Sequence, residues 1–144
     1  MLPSEMGPGR RGPVRYMLGS VLLETGELDR AVEILRDAIA DLDSVGDALL
    51  AAKATGNLAG ALFRQGDLLQ AQSAVKSELE SYRRLRLSPQ TVFPLGHLGL
   101  IAAAQGRYAE ARDLLEEAVE VGEEHGNQRA VDAFRAHLEA LPSP

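Results

Sequence analysis

Leu18-Gly19-Ser20-Val21-Leu22-Leu23-Glu24-Thr25-Gly26-Glu27-Leu28-Asp29-Arg30-Ala31 is a phrase that this chain repeats twice more. Forty residues on stands Leu58-Ala59-Gly60-Ala61-Leu62-Phe63-Arg64-Gln65-Gly66-Asp67-Leu68-Leu69-Gln70-Ala71. Forty further on stands Leu98-Gly99-Leu100-Ile101-Ala102-Ala103-Ala104-Gln105-Gly106-Arg107-Tyr108-Ala109-Glu110-Ala111. Glycine recurs at 26, 66 and 106, leucine at 18, 58 and 98, and alanine at 31, 71 and 111. Leu28, Leu68 and Tyr108 agree in type, as do Leu35, Val75 and Leu115. Each shared position has a physical reason. A glycine takes the left-handed conformation that closes a helix without a Cβ clash. The alanine five residues later lets a second helix lie close against the first. Asp67 and Gln70 have the spacing of a capping box at the start of that second helix.

Outward from these phrases the apolar residues keep helical spacing. Leu28, Ala31, Val32, Leu35, Ala38, Ile39 and Leu42 share one face, and Tyr108, Ala111, Leu115, Ala118 and Val119 share another. The pattern predicts helices at about 14–25, 28–45, 47–65, 68–87, 90–105 and 108–125. Breaks between pairs fall at Gly46-Asp47, Ser88-Pro89 and Gly126-Asn127. A seventh helix at about 127–141 carries the stripe Val131, Phe134, Leu138 and Leu141 and has no partner helix, as a solenoid cap would not. The expected organisation is a flexible leader at 1–12 and one domain at 13–141. That domain has pairs at about 13–46, 47–87 and 88–126 and a capping helix at 127–141.

Composition agrees with helices and narrows the function. Hydrophobic residues make up 45% of 144 and aromatics only 4%, so alanine and leucine carry a core suited to close helix packing. The formal net charge of −6 argues against a phosphate-binding protein, and no nucleic-acid partner is expected. Without cysteine there is no disulfide framework, thiolate zinc site or cysteine nucleophile. No apolar run approaches the roughly 18–20 residues of a membrane span, and the Pro- and Gly-rich start has no apolar core of a secretory signal. A soluble, cytoplasmic chain without a membrane partner is the expectation.

The repeated phrase resembles the tetratricopeptide repeat, whose pattern of Leu-Gly, a large residue, Ala and a second large residue is met by Leu18-Gly19…Leu22…Ala31…Leu35. Leu98-Gly99…Ala102…Ala111…Leu115 follows it with one small substitute. Leu58-Ala59…Leu62…Ala71…Val75 follows it with alanine for glycine. The resemblance covers about 13–125. The period of 40 exceeds the usual spacing of about 34. It is similar to the long variant in kinesin light chains and in bacterial transcription regulators with a helical sensor region. The family's small residue late in the second helix is met by Ala38 and Ala118 but is Glu78 in the middle pair, where a carboxylate would point outward or loosen the packing.

The resemblance implies an all-α fold: a right-handed α-α superhelix of three helix pairs plus the C-terminal capping helix. Its concave groove, lined by the first helix of each pair, would bind a peptide or helix of a partner protein. The family's groove positions fall on Tyr16, Ser20 and Leu23, on Lys53, Asn57, Gly60 and Phe63, and on Phe93, His97 and Leu100. Of these only Asn57 and Lys53 suit the clamp that some relatives use for a C-terminal carboxylate, so a hydrophobic segment or a packed helix is the better occupant.

No catalytic, cofactor-binding or metal-ligating set emerges. His97 is the one histidine on an expected groove helix, while His125 and His137 lack a second ligand at metal spacing. The acidic residues Glu110, Asp113, Glu116, Glu117, Glu120, Glu123 and Glu124 read as a solvated face. Arg83, Arg84 and Arg86 read as charges offsetting a helix C-terminus. Gly56 and Gly60, four apart inside a helix, mark either a close approach by a neighbouring helix or a ligand, or tolerated drift. Nucleophile elbows, P-loops and dinucleotide motifs are missing. The reading is a non-catalytic interaction scaffold or adaptor. Two alternatives stand beside it: a regulatory or sensor segment of a larger regulator, and a module that homo-oligomerises through its first pair.

Overall fold

Gly26, Gly46, Gly66, Gly106 and Gly126 all take left-handed φ angles, from 68° to 84°, and each ends a helix as the repeat predicts. The computed structural model describes residues 5–143. Among them the helices are α1 (Pro8–Glu24), α2 (Leu28–Ser44), α3 (Ala48–Arg64), α4 (Leu68–Arg84), α5 (Val92–Ala104), α6 (Tyr108–Glu124) and α7 (Gln128–Ala140). A 3-10 turn at Ser88–Thr91 leads into α5. No strand occurs among the described residues. The helix pairs α1–α2, α3–α4 and α5–α6 and the added α7 are those expected from the 40-residue period.

The first helix differs from expectation. α1 starts at Pro8, six residues before the predicted position, so the second half of the expected leader is helical. Proline at the first helical position has no amide to lose and a φ already suited to a helix. The extra turns are held from the side. Arg11 Nη2 and Arg15 Nη1 each donate to Asp41 at 2.7 Å, and a Cβ added at Gly12 would fall 2.8 Å from Leu42 Cδ2. Asp41 is buried. The hydrogen bond from Arg11, more than any other influence, holds its carboxyl below the usual range. Residues 1–4, where the expected leader begins, lie outside the described residues.

Side-chain oxygens cap three helices. Asp47 accepts from the Leu50 amide at 3.2 Å, Asp67 from the Gln70 amide at 3.1 Å and Asn127 from the Ala130 amide at 3.2 Å. The Gln70 side chain bonds the Asp67 carboxylate rather than its amide. The capping box is therefore half realised, because the Asp67 amide is already bonded to the Leu62 carbonyl.

The described residues form two compact units, divided between Ser81 and Tyr82. In the first, α1 packs on α2 and α3, and α2 packs on α3. Leu22, Leu35, Leu42, Leu58, Leu62 and Val75 are buried there among many alanines. In the second, α5 packs on α6 and both meet α7. Val92, Leu95, Ile101, Leu115, Val131 and Phe134 are buried there.

Candidate partner-binding surface

α1 has three distinct faces. Gly12, Gly19 and Leu22 are buried, and Gly19 is where α2 comes closest: a Cβ added there would stand 2.6 Å from Leu35 Cδ2. Tyr16, Ser20 and Leu23, the residues assigned to a groove, form a second face and are half-buried. There Ser20 Oγ donates to the Tyr16 carbonyl at 2.9 Å and accepts from Asn57 Nδ2 at 2.8 Å. The structure therefore brings Ser20 and Asn57 together, and Asn57 already has a partner inside the protein. At the end of α3, Arg64 Nη1 donates to the Leu23 carbonyl at 2.7 Å, completing the last turn of α1.

The remaining groove positions of this unit lie along α3. Lys53 and Phe63 are exposed, Phe63 at 42%, and Asn57 and Gly60 are half-buried. The two α3 glycines turn out to differ. A Cβ at Gly60 would meet only Leu23 Cδ2, at an ordinary 3.8 Å. A Cβ at Gly56 would fall 2.3 Å from Glu78 Oε2. Of the two readings, close approach holds at Gly56, where the neighbour is a carboxyl group, and not at Gly60. Glu78 neither points outward nor is solvated. It is 9% exposed, and burial pushes its pKa up to about 7.

On the other side of α3, between α2 and α4, lies a cleft of about 490 Å³ lined by Arg36, Asp43, Thr55, Gln70 and Ser77 among others. Arg36 Nη2 donates to Gln70 Oε1 across it at 2.6 Å. Of these positions the sequence pattern marks only Gln70, and that as a helix cap.

In the second unit Phe93 is 43% exposed, His97 is exposed and Leu100 is half-buried. Phe93 and His97 are one helical turn apart, with ring centroids 6.1 Å apart. Phe134 of α7 joins them edge-on, at 5.9 Å from Phe93 and 6.4 Å from His97. Gly96 makes this possible, since a Cβ there would overlap the Phe134 ring at 2.0 Å. The surrounding atoms lower the His97 pKa, although part of its side chain stays open to solvent. Phe134 was visible in the sequence only as one member of the α7 stripe. The signal that ties it to this cluster is a glycine one residue before His97.

Among the described residues no three His, Asp or Glu side chains come together in a metal-binding group. No described helix is long and apolar enough to cross a membrane.

Comparison with known proteins supports the repeat. Two family models, each described as tetratricopeptide repeat, match residues 50–124 and 12–40. No curated protein matches the chain. Among solved structures it is similar to a Podosopora anserina protein described as a kinesin light chain with nearly identical TPR-like repeats. The TM-score is 0.75 at 19% identity, over 92% of this chain. This chain spans 65% of that protein's length. BtubC (BKLC) from P. vanneervenii is similar with a TM-score of 0.71 at 17% identity, over 95% of this chain and 68% of that one. At these identities the likeness is one of fold.

Proposed function

We propose that this chain, which belongs to the tetratricopeptide repeat family, is a non-catalytic scaffold that holds an extended peptide or a helix of a partner protein. Repeats of this family serve generally in protein–protein interaction. The role is carried out by the first helices of the pairs: in the first unit by Tyr16, Ser20, Leu23, Lys53, Asn57, Gly60 and Phe63, and in the second by Phe93, His97 and Leu100. The observation that carries the reading is the exposure of two phenylalanines, Phe63 and Phe93, on those helices. Large exposed aromatics are costly in water and favour contact with a partner. The polar groups nearby are few, and Asn57 is already bonded to Ser20. An apolar segment therefore suits these faces better than an acidic tail. A cytoplasmic setting is part of the same proposal.

The test is a lysate pull-down with the wild-type chain beside Gly60→Arg and Phe93→Asp, with circular dichroism to confirm that all three are helical. A Cβ at Gly60 meets only Leu23 Cδ2, at ordinary contact distance, so the arginine is tolerated by the fold and obstructs the α1–α3 face. A protein held by the wild type and lost by either variant supports the proposal. Equal retention by all three overturns it.

A further inference from the structure

Among the described residues, the third face of α1 is left open to solvent. Val14, Met17, Leu18 and Val21 are all exposed there, Met17 at 68% and Val21 at 54%. With the exposed Arg10 and Glu24 the series runs 10, 14, 17, 21, 24, the alternating four-and-three spacing of a coiled-coil seam. It spans about 21 Å of helix. Arg10, at the N-terminal end, and Glu24, at the C-terminal end, have no ion-pair partner among the described residues. By contrast Arg11 and Arg15, on the inner side, are both committed to Asp41.

From this arrangement we infer that α1 docks antiparallel against α1 of a second copy of the chain, giving a two-fold symmetric dimer. The pattern of charge selects this occupant. A two-fold axis near Met17 and Leu18 lays Val14 of one copy on Val21 of the other and sets Arg10 beside Glu24 at both ends. A parallel pair would instead place Arg10 on Arg10 and Glu24 on Glu24. The surface is self-complementary, as an isologous interface requires. Four apolar side chains per copy make a small contact, so the Kd is expected on the order of 10 to 100 µM. This surface is separate from the faces proposed above for a partner protein, so the two inferences stand or fall independently.

Sedimentation equilibrium of the 144-residue chain from about 1 to about 500 µM tests the inference. The mean mass should rise from 15.4 kDa toward twice that value. Met17→Glu should remain monomeric with unchanged helicity, because the side chain it replaces is in solvent. Arg10→Glu and Glu24→Arg should each weaken self-association by about three- to tenfold. An equimolar mixture of the two should recover it, because each end of the mixed pair is again Glu against Arg. A monomer at every concentration would overturn the proposal, and is the result expected if this face serves an additional helix of a longer chain. A dimer indifferent to Met17→Glu would place the contact elsewhere. Failure of the mixed variants to recover would exclude the antiparallel register.

Discussion

Glu78 is held against Gly56 with no charged group contributing to its pKa; burial is the sole cause of the rise from 4.5 to about 7. The only charged residues on α3, the helix that carries Gly56, are Lys53 and Arg64. The sign of the consequence is fixed. The folded pKa lies above the unfolded one, so the native state gives up the proton less readily. Below about pH 4.5 the group is protonated in both states and costs nothing. Between 4.5 and about 7 stability falls, and above that range the full cost of about 3 kcal/mol applies. Asp41 acts in the opposite sense, and its contribution is lost only as pH drops through its lowered folded pKa. Glu78→Gln should therefore raise the urea midpoint strongly at about pH 8 and much less at about pH 5. An equal gain at both values would show that the carboxyl is not buried as described. Arg86 is a second residue at odds with its surroundings. It stands 40 residues from both Gly46 and Gly126 and adopts the same left-handed backbone, with φ 57°. Arg86→Gly should stabilise the chain by about 0.5–1 kcal/mol, read from chemical denaturation. Loss of stability would show that the arginine side chain, and not its backbone, matters there.

Helix pairs are set by a few reciprocal volumes. Gly19 faces Leu35, and Gly99 faces Leu115 with 2.7 Å from an added Cβ to Leu115 Cγ. The middle pair has alanine at 59 and valine at 75, the same exchange made in reverse. The alanine that replaces the family's glycine at 59 is thus matched by a smaller residue at 75. Gly19→Ala should cost about 1–3 kcal/mol, because the methyl group lands on a buried leucine. Adding Leu35→Val should recover part of that cost, and a thermal-melt double-mutant cycle measures the coupling. Strict additivity would mean that the two positions do not touch. The same logic explains which elements were readable. The 40-residue period and the turn glycines fixed the order of the helices. The start of α1 was hidden because Gly9, Gly12 and Pro13 are poor helix formers by themselves. Its extension depends on Asp41, thirty residues away from Arg11 in sequence, and no local pattern reports such a pairing.

At the scale of the whole molecule, the candidate surface was legible only as a set of positions. Family spacing put Ser20, Asn57, Phe93 and His97 on the first helices of their pairs. It did not reveal that Ser20 and Asn57 bond to each other, or that Phe134 packs on Phe93 and His97. Those are contacts between residues 37 or more apart in sequence, fixed by packing and not by period. Phe134 also bears on how stability is distributed. It is buried in the unit formed by residues 82–144 and fills the space that Gly96 leaves open. Repeat proteins derive stability from each element and its immediate neighbours, so a defect acts locally first. Phe134→Ala should cost about 3–4 kcal/mol in the second unit. Amide hydrogen exchange of the variant should quicken through α5, α6 and α7, while α1 and α2 keep their wild-type protection. Equal acceleration in all the helices would mean that the chain opens only as one cooperative body. No acceleration in α5 would mean that the ring is not what closes the space above Gly96.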